Sequence, residues 1–123
     1  AKRIVGASYF PGKLNKIFAD YFIEAGINVL DMQGVDVPFG KVQTLASTEI
    51  YRFIKKMFLA QRKVDAIYML GPAWRTLDII EPLEQDLGVP VVHHLPAQAW
   101  EIMKRLHVRQ PIEGRGRLLR EMP

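Results

Sequence analysis

Two adjacent histidines, His93 and His94, are the residues in this 123-residue sequence with the most recognisable chemistry, because an imidazole can carry a proton near neutral pH. They close the run PVVHH, which is typical of a strand. Neighbouring strand residues point to opposite faces, so we expect the two rings to diverge and predict no metal site. One ring can still face a cleft as a proton carrier. The sequence has no cysteine, which excludes thiol nucleophiles and cysteine-ligated zinc.

Further candidate residues follow the other predicted strands: Ser8 and Tyr9 after the first, residues 33–36 after the second and residues 71–75 after the third. In open parallel sheets, ligands bind beyond the carboxyl ends of the strands. Thr76 is predicted to cap a helix there, and the N-terminus of a helix attracts carboxylates and phosphates. Simpler interpretations stay open, since Tyr9 can be a half-buried aromatic and Arg75 can pair with Asp78.

These residues are positioned by an alternation of strands and helices. Apolar runs predict strands at residues 2–8, 27–32, 65–70 and 90–94. Apolar periodicity predicts helices at residues 14–25, from Ser47 or Thr48 through Phe58, at 76–87 and at 96–107. Gly26 and Gly88 are expected to end two of the helices, and Pro82 to kink or shorten the third.

The alternation predicts an α/β fold, a four-stranded parallel sheet with helices on both faces. We expect a single domain over residues 1–107 and a C-terminal tail, residues 108–123, packing on it. The apolar stripe of the first helix is expected to face the sheet; it consists of Leu14, Ile17, Phe18, Tyr21, Phe22 and Ala25.

Composition narrows the class of protein further. The chain is 49% hydrophobic and carries a formal net charge of +4, ordinary for a globular domain. No apolar run reaches the roughly 18–20 residues that span a bilayer, and we predict a cytoplasmic protein without membrane contact. The basic residues lie along one helix and in the tail without interleaved aromatics, so nucleic acid is not an expected partner. Neither GxGxxG nor GxxxxGK[ST] occurs.

Residues 65–100, DAIYMLGPAWRTLDIIEPLEQDLGVPVVHHLPAQAW, resemble the second half of the aspartate/glutamate racemase superfamily, and most of all its maleate cis-trans isomerase and arylmalonate decarboxylase branch. Upstream, SYFPGKLNKIFADYFIEAGINVL looks like the opening of the same half, with Tyr9 and Asn15 at its substrate-contacting tyrosine and helix-starting asparagine. The residues of the block that keep the family pattern are Arg75, Thr76, Glu81, Leu83, Glu84, Gly88, Pro90, Val91, Val92 and Trp100.

The resemblance implies a flavodoxin-like half-unit of the racemase fold and a reaction without cofactor or metal. It implies a small dicarboxylate or 2-substituted malonate as ligand, isomerised, racemised or decarboxylated through an enediolate-like intermediate. The residues then expected in catalysis are Tyr9, His93 and His94. Those expected to bind substrate are Ser8, Asn15, Gly71, Pro72, Ala73, Arg75 and Thr76. The catalytic cysteine of the family falls on Gly71, so catalysis by this chain alone is not expected.

Family members contain two such halves, and this chain corresponds to one. The resemblance therefore implies either a missing N-terminal half-domain or a homo-oligomer. The alternative is a non-catalytic module that binds small carboxylates or serves assembly, which the missing cysteine favours. A response-regulator-like domain shares the alternation of elements, but it needs an acidic cluster after the first strand, where Ser8 and Tyr9 stand.

Overall fold

A computed structural model describes residues 1–122. The elements in chain order are β1 (Arg3–Ser8), α1 (Gly12–Glu24), β2 (Asn28–Gly34), a 3-10 helix (Phe39–Thr44), α2 (Ser47–Leu59), β3 (Ala66–Met69), α3 (Ile80–Leu87), β4 (Val91–His93), α4 (His94–Arg105) and α5 (Arg117–Glu121). None of the helices in this range is long and apolar enough to cross a membrane.

The four strands form one parallel sheet in the order β2-β1-β3-β4, which confirms the predicted fold class. From β1 the chain moves to one edge of the sheet through α1, and it then returns past β1 to β3 and β4 through α2 and α3. Right-handed crossovers in opposite directions place α1 on one face and α2 and α3 on the other. The carboxyl ends of all four strands consequently lie along one edge of the sheet.

The hydrophobic core lies between the central strands and the helices α2 and α3. This layer covers one face of β3, and α1 covers the other, where Phe22 packs on Tyr68. Cover on both faces is why β3 reads as a nearly continuous apolar run. The stripe of α2 predicted from its periodicity is buried at Ile50 and Ile54, as expected. The strand and helix side chains in this core include Val5, Ala7, Ile67, Met69, Ile50, Ile54, Met57, Ile80 and Leu83.

The prediction that the whole apolar stripe of α1 faces the sheet is wrong. Leu14, Ile17 and Tyr21 are 40%, 61% and 70% exposed, whereas the residue of α1 that is buried is Asn15. Phe18 and Phe22 of the same stripe are half-buried, and Phe22 packs edge-on against Tyr68 of β3, with ring centroids 4.8 Å apart. One part of the stripe thus lies toward the sheet beside the buried Asn15, and the other part is exposed.

Two predicted helix caps are also wrong. Ser47 is the first residue of α2 and no side chain caps it. Thr76 does not begin a helix, since α3 starts at Ile80, and Pro82 lies in the first turn, where a missing N–H is tolerated. The expected shortening by Pro82 and the stop at Gly88, which has φ 72°, are confirmed.

The C-terminal segment is tied to α3 by two glutamates. The Glu84 carboxylate accepts the N–H of Val91 at 3.0 Å and the N–H of Arg117 at 2.8 Å. Glu81 pairs with Arg120 at 2.9 Å, and Leu119 of α5 is buried. The backbone of Ile112 also donates to Leu119 at 3.0 Å. The loop before α5 is therefore held at Ile112 and at the start of α5.

Candidate functional site

The carboxyl ends of β1 and β3 bring Tyr9 and Gly71 into contact. Tyr9 is buried, and its ring lies over the backbone of Gly71, which has φ 124°. A β-carbon built on Gly71 would lie 2.8 Å from Cδ1 and Cζ of Tyr9 and closer still to Cε1. The hydroxyl of Tyr9 accepts a long hydrogen bond from the N–H of Ala73, 3.4 Å away. The tyrosine ring thus fills the volume that a side chain at position 71 would need.

Trp74 and Phe10 complete this aromatic contact. The Trp74 ring packs edge-on against Tyr9 at 5.4 Å between centroids, and Phe10 lies 4.6 Å from Tyr9 on another side. Trp74 is buried, and its Nε1–H has no acceptor among residues 1–122. A buried unpaired donor costs free energy, so an acceptor supplied by a ligand or water would stabilise this part of the loop.

Ser8 and Asn15 form a closed hydrogen-bond network in the turn between β1 and α1. The hydroxyl of Ser8 donates to Oδ1 of Asn15 at 2.5 Å, and Nδ2 of Asn15 donates to the carbonyl of Phe10 at 2.9 Å. The N–H of Phe10 donates to Oγ of Ser8 at 3.1 Å. Both side chains are buried and satisfied by one another, so the structure shows them shaping the turn. Their contact with substrate stays a prediction.

The expectation that His93 and His94 diverge from one strand is wrong. Strand β4 ends at His93, and His94 is the first residue of α4. Their rings lie nearly parallel, 5.8 Å apart and inclined by 15°. His94 Nδ1 is buried without a hydrogen-bond partner in the described part of the chain. Residues 1–122 also hold no cluster of three or more potential metal ligands.

The hydrogen bonds of His93 determine its tautomer. Nδ1 accepts the N–H of Leu95 at 3.1 Å, which caps α4, so the ring proton must lie on Nε2. Nε2 is 2.8 Å from Oγ1 of Thr76, and it therefore donates to that oxygen. The Thr76 hydroxyl is consequently left to act as a donor elsewhere. This pair joins the end of β4 to the loop that follows β3.

Burial, and secondly the nearby charge of His94, lower the pKa of His93 from 6.5 to about 4. The ring is almost fully buried and is therefore neutral at pH 7. With both nitrogens engaged and a low pKa, it is a weak base. The geometry consequently gives His93 the role of organising Thr76 and the start of α4.

Two cavities open along the carboxyl edge of the sheet. Of the residues predicted to bind substrate, Pro72, Arg75 and Thr76 line the second cavity and none lines the first. The first, of about 450 Å³, has Tyr9 in its wall together with Phe10, Pro11, Asp36, Val37, Pro38 and Phe39. The second, of about 320 Å³, contains Arg75 and Thr76 together with Pro72, Trp74, Leu77, Asp78, Leu95 and Arg115. Tyr9 and Trp74, which touch one another, each line one of the cavities.

Phe39 and Arg115 are two of the cavity residues that the sequence did not indicate. Phe39 belongs to a segment predicted only as a long loop, whereas it starts the 3-10 helix. Arg115 lies in the Gly114-Arg115-Gly116 run, which follows no strand and carries no motif of its own. Only the folding back of the C-terminal segment brings Arg115 beside Arg75, and a local pattern cannot report that proximity.

A family model described as arylmalonate decarboxylase matches residues 1–119. The chain belongs to the arylmalonate decarboxylase family. Among curated protein sequences there is no significant match to the chain. The family match agrees with the resemblance to the aspartate/glutamate racemase superfamily and covers almost the whole chain.

Solved structures share the fold of this arylmalonate decarboxylase family member. A crystal structure of arylmalonate decarboxylase superposes with a TM-score of 0.89 at 23% identity, covering 98% of this chain and 54% of that one. Maleate cis-trans isomerase from Nocardia farcinica superposes with a TM-score of 0.90 at 23% identity, covering 98% of this chain and 49% of that one. For the maleate isomerase Iso from Pseudomonas putida S16 the TM-score is 0.84 at 23% identity, and the match covers 97% of this chain and 48% of that one. The chain spans about half the length of each relative.

The low pKa of His93 predicts a pH-dependent stability. Between pH 6.5 and about 4 the unfolded chain takes up a proton on this imidazole and the folded chain does not. The free energy of unfolding therefore falls as the pH is lowered through this window, by on the order of 3 kcal/mol from His93. His93→Asn keeps an acceptor for the cap without titrating, so urea unfolding at pH 7 and pH 4 should show a smaller difference for this variant.

The matched control is His107→Asn, because His107 is exposed and asparagine tolerates its φ of 57°. Asp65, whose pKa is lowered by the N–H groups of Lys2 and Arg3, contributes equally to both variants. The assignment fails if His93→Asn retains the full difference between pH 7 and pH 4.

Position 71 should not accept the family's cysteine. Gly71→Cys forces a side chain into the Tyr9 ring at a φ that disfavours it, and we expect a loss of about 2–4 kcal/mol of unfolding free energy in urea. Gly12→Cys is the matched control, because a β-carbon there meets no atom within 4 Å. Wild-type stability of Gly71→Cys would show that the Tyr9 ring moves freely.

Proposed function

We propose that this chain is one half-domain of a cofactor-independent isomerase or decarboxylase acting on small dicarboxylates or 2-substituted malonates. Its own part is to bind substrate, and the proton carrier comes from another half-domain. The observation that carries this proposal is the Tyr9 ring over Gly71, because it leaves the family's cysteine position without a side chain and without room for one.

The cavity of about 450 Å³ beside Tyr9 supports the binding role. Pro11 lines it and is the N-cap residue that directly precedes α1. The first turn of α1 holds no acidic residue and no capping side chain, but it contains Lys13. The first N–H groups of a helix and its positive dipole end attract a carboxylate. In this proposal one substrate carboxylate lies at this helix start, with the apolar wall of the cavity around the remainder.

His93 and Tyr9 are assigned here to holding the loops in place. The His93 ring is neutral at pH 7 and bonds on both nitrogens, and the Tyr9 hydroxyl is turned to Ala73. Neither group is arranged to exchange a proton with a ligand. Catalytic roles for Tyr9, His93 and His94 stay predictions from the sequence, as does a cytoplasmic location.

The second half-domain is proposed to pack on the exposed face of α1. Leu14, Ile17 and Tyr21 form an apolar surface there, and the relatives are about twice the length of this chain. In the isolated chain, a second copy takes the place of that half-domain. Sedimentation should then show self-association that Ile17→Asp weakens.

The control for that surface is Leu59→Asp, because Leu59 is 64% exposed at the end of α2, on the other face of the sheet. It should leave self-association unchanged. A chain that stays monomeric up to high micromolar concentration would contradict the proposed second copy.

A non-catalytic carboxylate-binding module is the second candidate, and the same filled position at Gly71 favours it. The two candidates differ in what happens when a second half-domain is supplied. Turnover on mixing with the N-terminal half of a relative supports the enzyme, and binding without turnover in every combination supports the module.

The binding proposal is tested by titrating the isotope-labelled chain with maleate and with phenylmalonate and by assaying isomerisation and decarboxylation. We expect amide shifts in residues 9–13 and 36–39, apart from Pro11 and Pro38, which have no N–H, and no turnover by the chain alone. Lys13→Gln should weaken binding several-fold through loss of a charge at the helix start. Lys56→Gln, at an exposed position of α2, should leave binding unchanged. Turnover by the isolated chain, or no shift with either ligand, contradicts the proposal.

A further inference from the structure

The cavity of about 320 Å³ that contains Arg75 continues into a second, apolar space. That space, of about 230 Å³, shares Leu77, Leu95 and Arg115 with the first, and its remaining wall is formed by apolar side chains of α4 and the C-terminal segment, among them Ile112. Three shared wall residues make the two spaces one groove. It has a polar end beside Arg75 and an apolar end beside Ile112.

The polar end carries unpaired positive charge. Arg75 and Arg115 are exposed, and within residues 1–122 neither forms an ion pair. Nη1 of Arg115 donates at 3.1 Å to the neutral carbonyl of Gly114. Asp78 lines the same end but is not paired with either arginine, contrary to the simple interpretation of Arg75. Two guanidinium groups and one carboxylate leave this end with a net positive charge.

Two buried donors face the same requirement for an acceptor. The Thr76 hydroxyl lines the polar end, and because it accepts from His93 it has its own proton to donate. Trp74 lines the polar end as well, and its Nε1–H is buried without an acceptor in the described chain. Guanidinium, hydroxyl and indole N–H groups are all donors, which is the chemistry that recognises an oxyanion.

We propose that this groove binds a small organic anion with an apolar substituent, at a site separate from the cavity beside Tyr9. The carboxylate or phosphate head lies between Arg75 and Arg115, and the apolar body lies against Leu77, Leu95 and Ile112. A space of about 230 Å³ is large enough for one aromatic ring, since apolar cavities of about 150 Å³ bind benzene. Arg115 can serve because Glu84 and Glu81 hold its segment on α3.

The test is a titration of the isotope-labelled chain, followed through the Trp74 indole N–H signal. The probes are phenylacetate against acetate and phenyl phosphate against inorganic phosphate. Phenylacetate and phenyl phosphate should each bind at least tenfold more tightly than their counterparts, because only they fill the apolar end. Whichever of the two binds more tightly identifies the headgroup, and either order supports the groove.

Arg75→Gln and Arg115→Gln should each weaken the phenyl-bearing probes about tenfold, because each removes a charge-assisted hydrogen bond. Arg109→Gln is the matched control, an exposed arginine of the same segment outside the groove. Equal weakening by Arg109→Gln would indicate unspecific charge attraction and overturn the site. Equal affinity for acetate and phenylacetate overturns the apolar end, and an unmoved Trp74 signal overturns the whole inference. None of these three results affects the cavity beside Tyr9, because binding there is followed through residues 9–13 and 36–39.

Discussion

The packing of the Tyr9 ring over the Gly71 backbone is the contact on which the carboxyl edge of the sheet depends. It joins the turn after β1 to the loop after β3, and Trp74 extends the same contact into that loop. Since both residues are buried, the ring cannot be displaced without opening the aromatic cluster. The division of this edge into two separate cavities follows from that contact, because Tyr9 lines one of them and Trp74 the other.

A second constraint acts between β3 and β4. The hydrogen bond between His93 and Thr76 spans 17 residues of sequence and fixes the loop after β3 against the start of α4. A neutral imidazole suits this position because it can accept from Leu95 and donate to Thr76 at the same time. Protonation would remove the acceptor, which is consistent with the lowered pKa of the ring.

The sequence was sufficient to predict the strands, their parallel arrangement and the family. The spacing of apolar residues, and the glycines and prolines at the ends of elements, are local signals. The sequence was insufficient where tertiary contacts prevailed over local pattern. Asn15 is the buried residue of α1, although it is polar, because its partners, Ser8 and Phe10, lie in the preceding turn. His94 was expected on a strand because a strand end followed immediately by a helix start leaves no loop residue to mark the change.

The candidate site was predictable only as a set of loops. Position after a strand correctly selected Tyr9, Gly71 and Arg75 as residues of the carboxyl edge, but it could not show that Tyr9 fills the space at Gly71. It also could not show that Arg75 and Tyr9 line different cavities, because the division between the cavities depends on where Trp74 packs. Arg115 lines the same cavity as Arg75 because α5 is held on α3, and such long-range contacts leave no periodic trace in the sequence.

The carboxylate of Glu84 has a further consequence for the sheet itself. Strand β4 is an edge strand of three residues, and an exposed edge offers backbone donors to any other extended chain. Glu84 occupies the N–H of Val91 and holds α5 beside it. A charged side chain and a short helix thereby close this border to intermolecular strand pairing, so the protein is protected there from edge-to-edge aggregation.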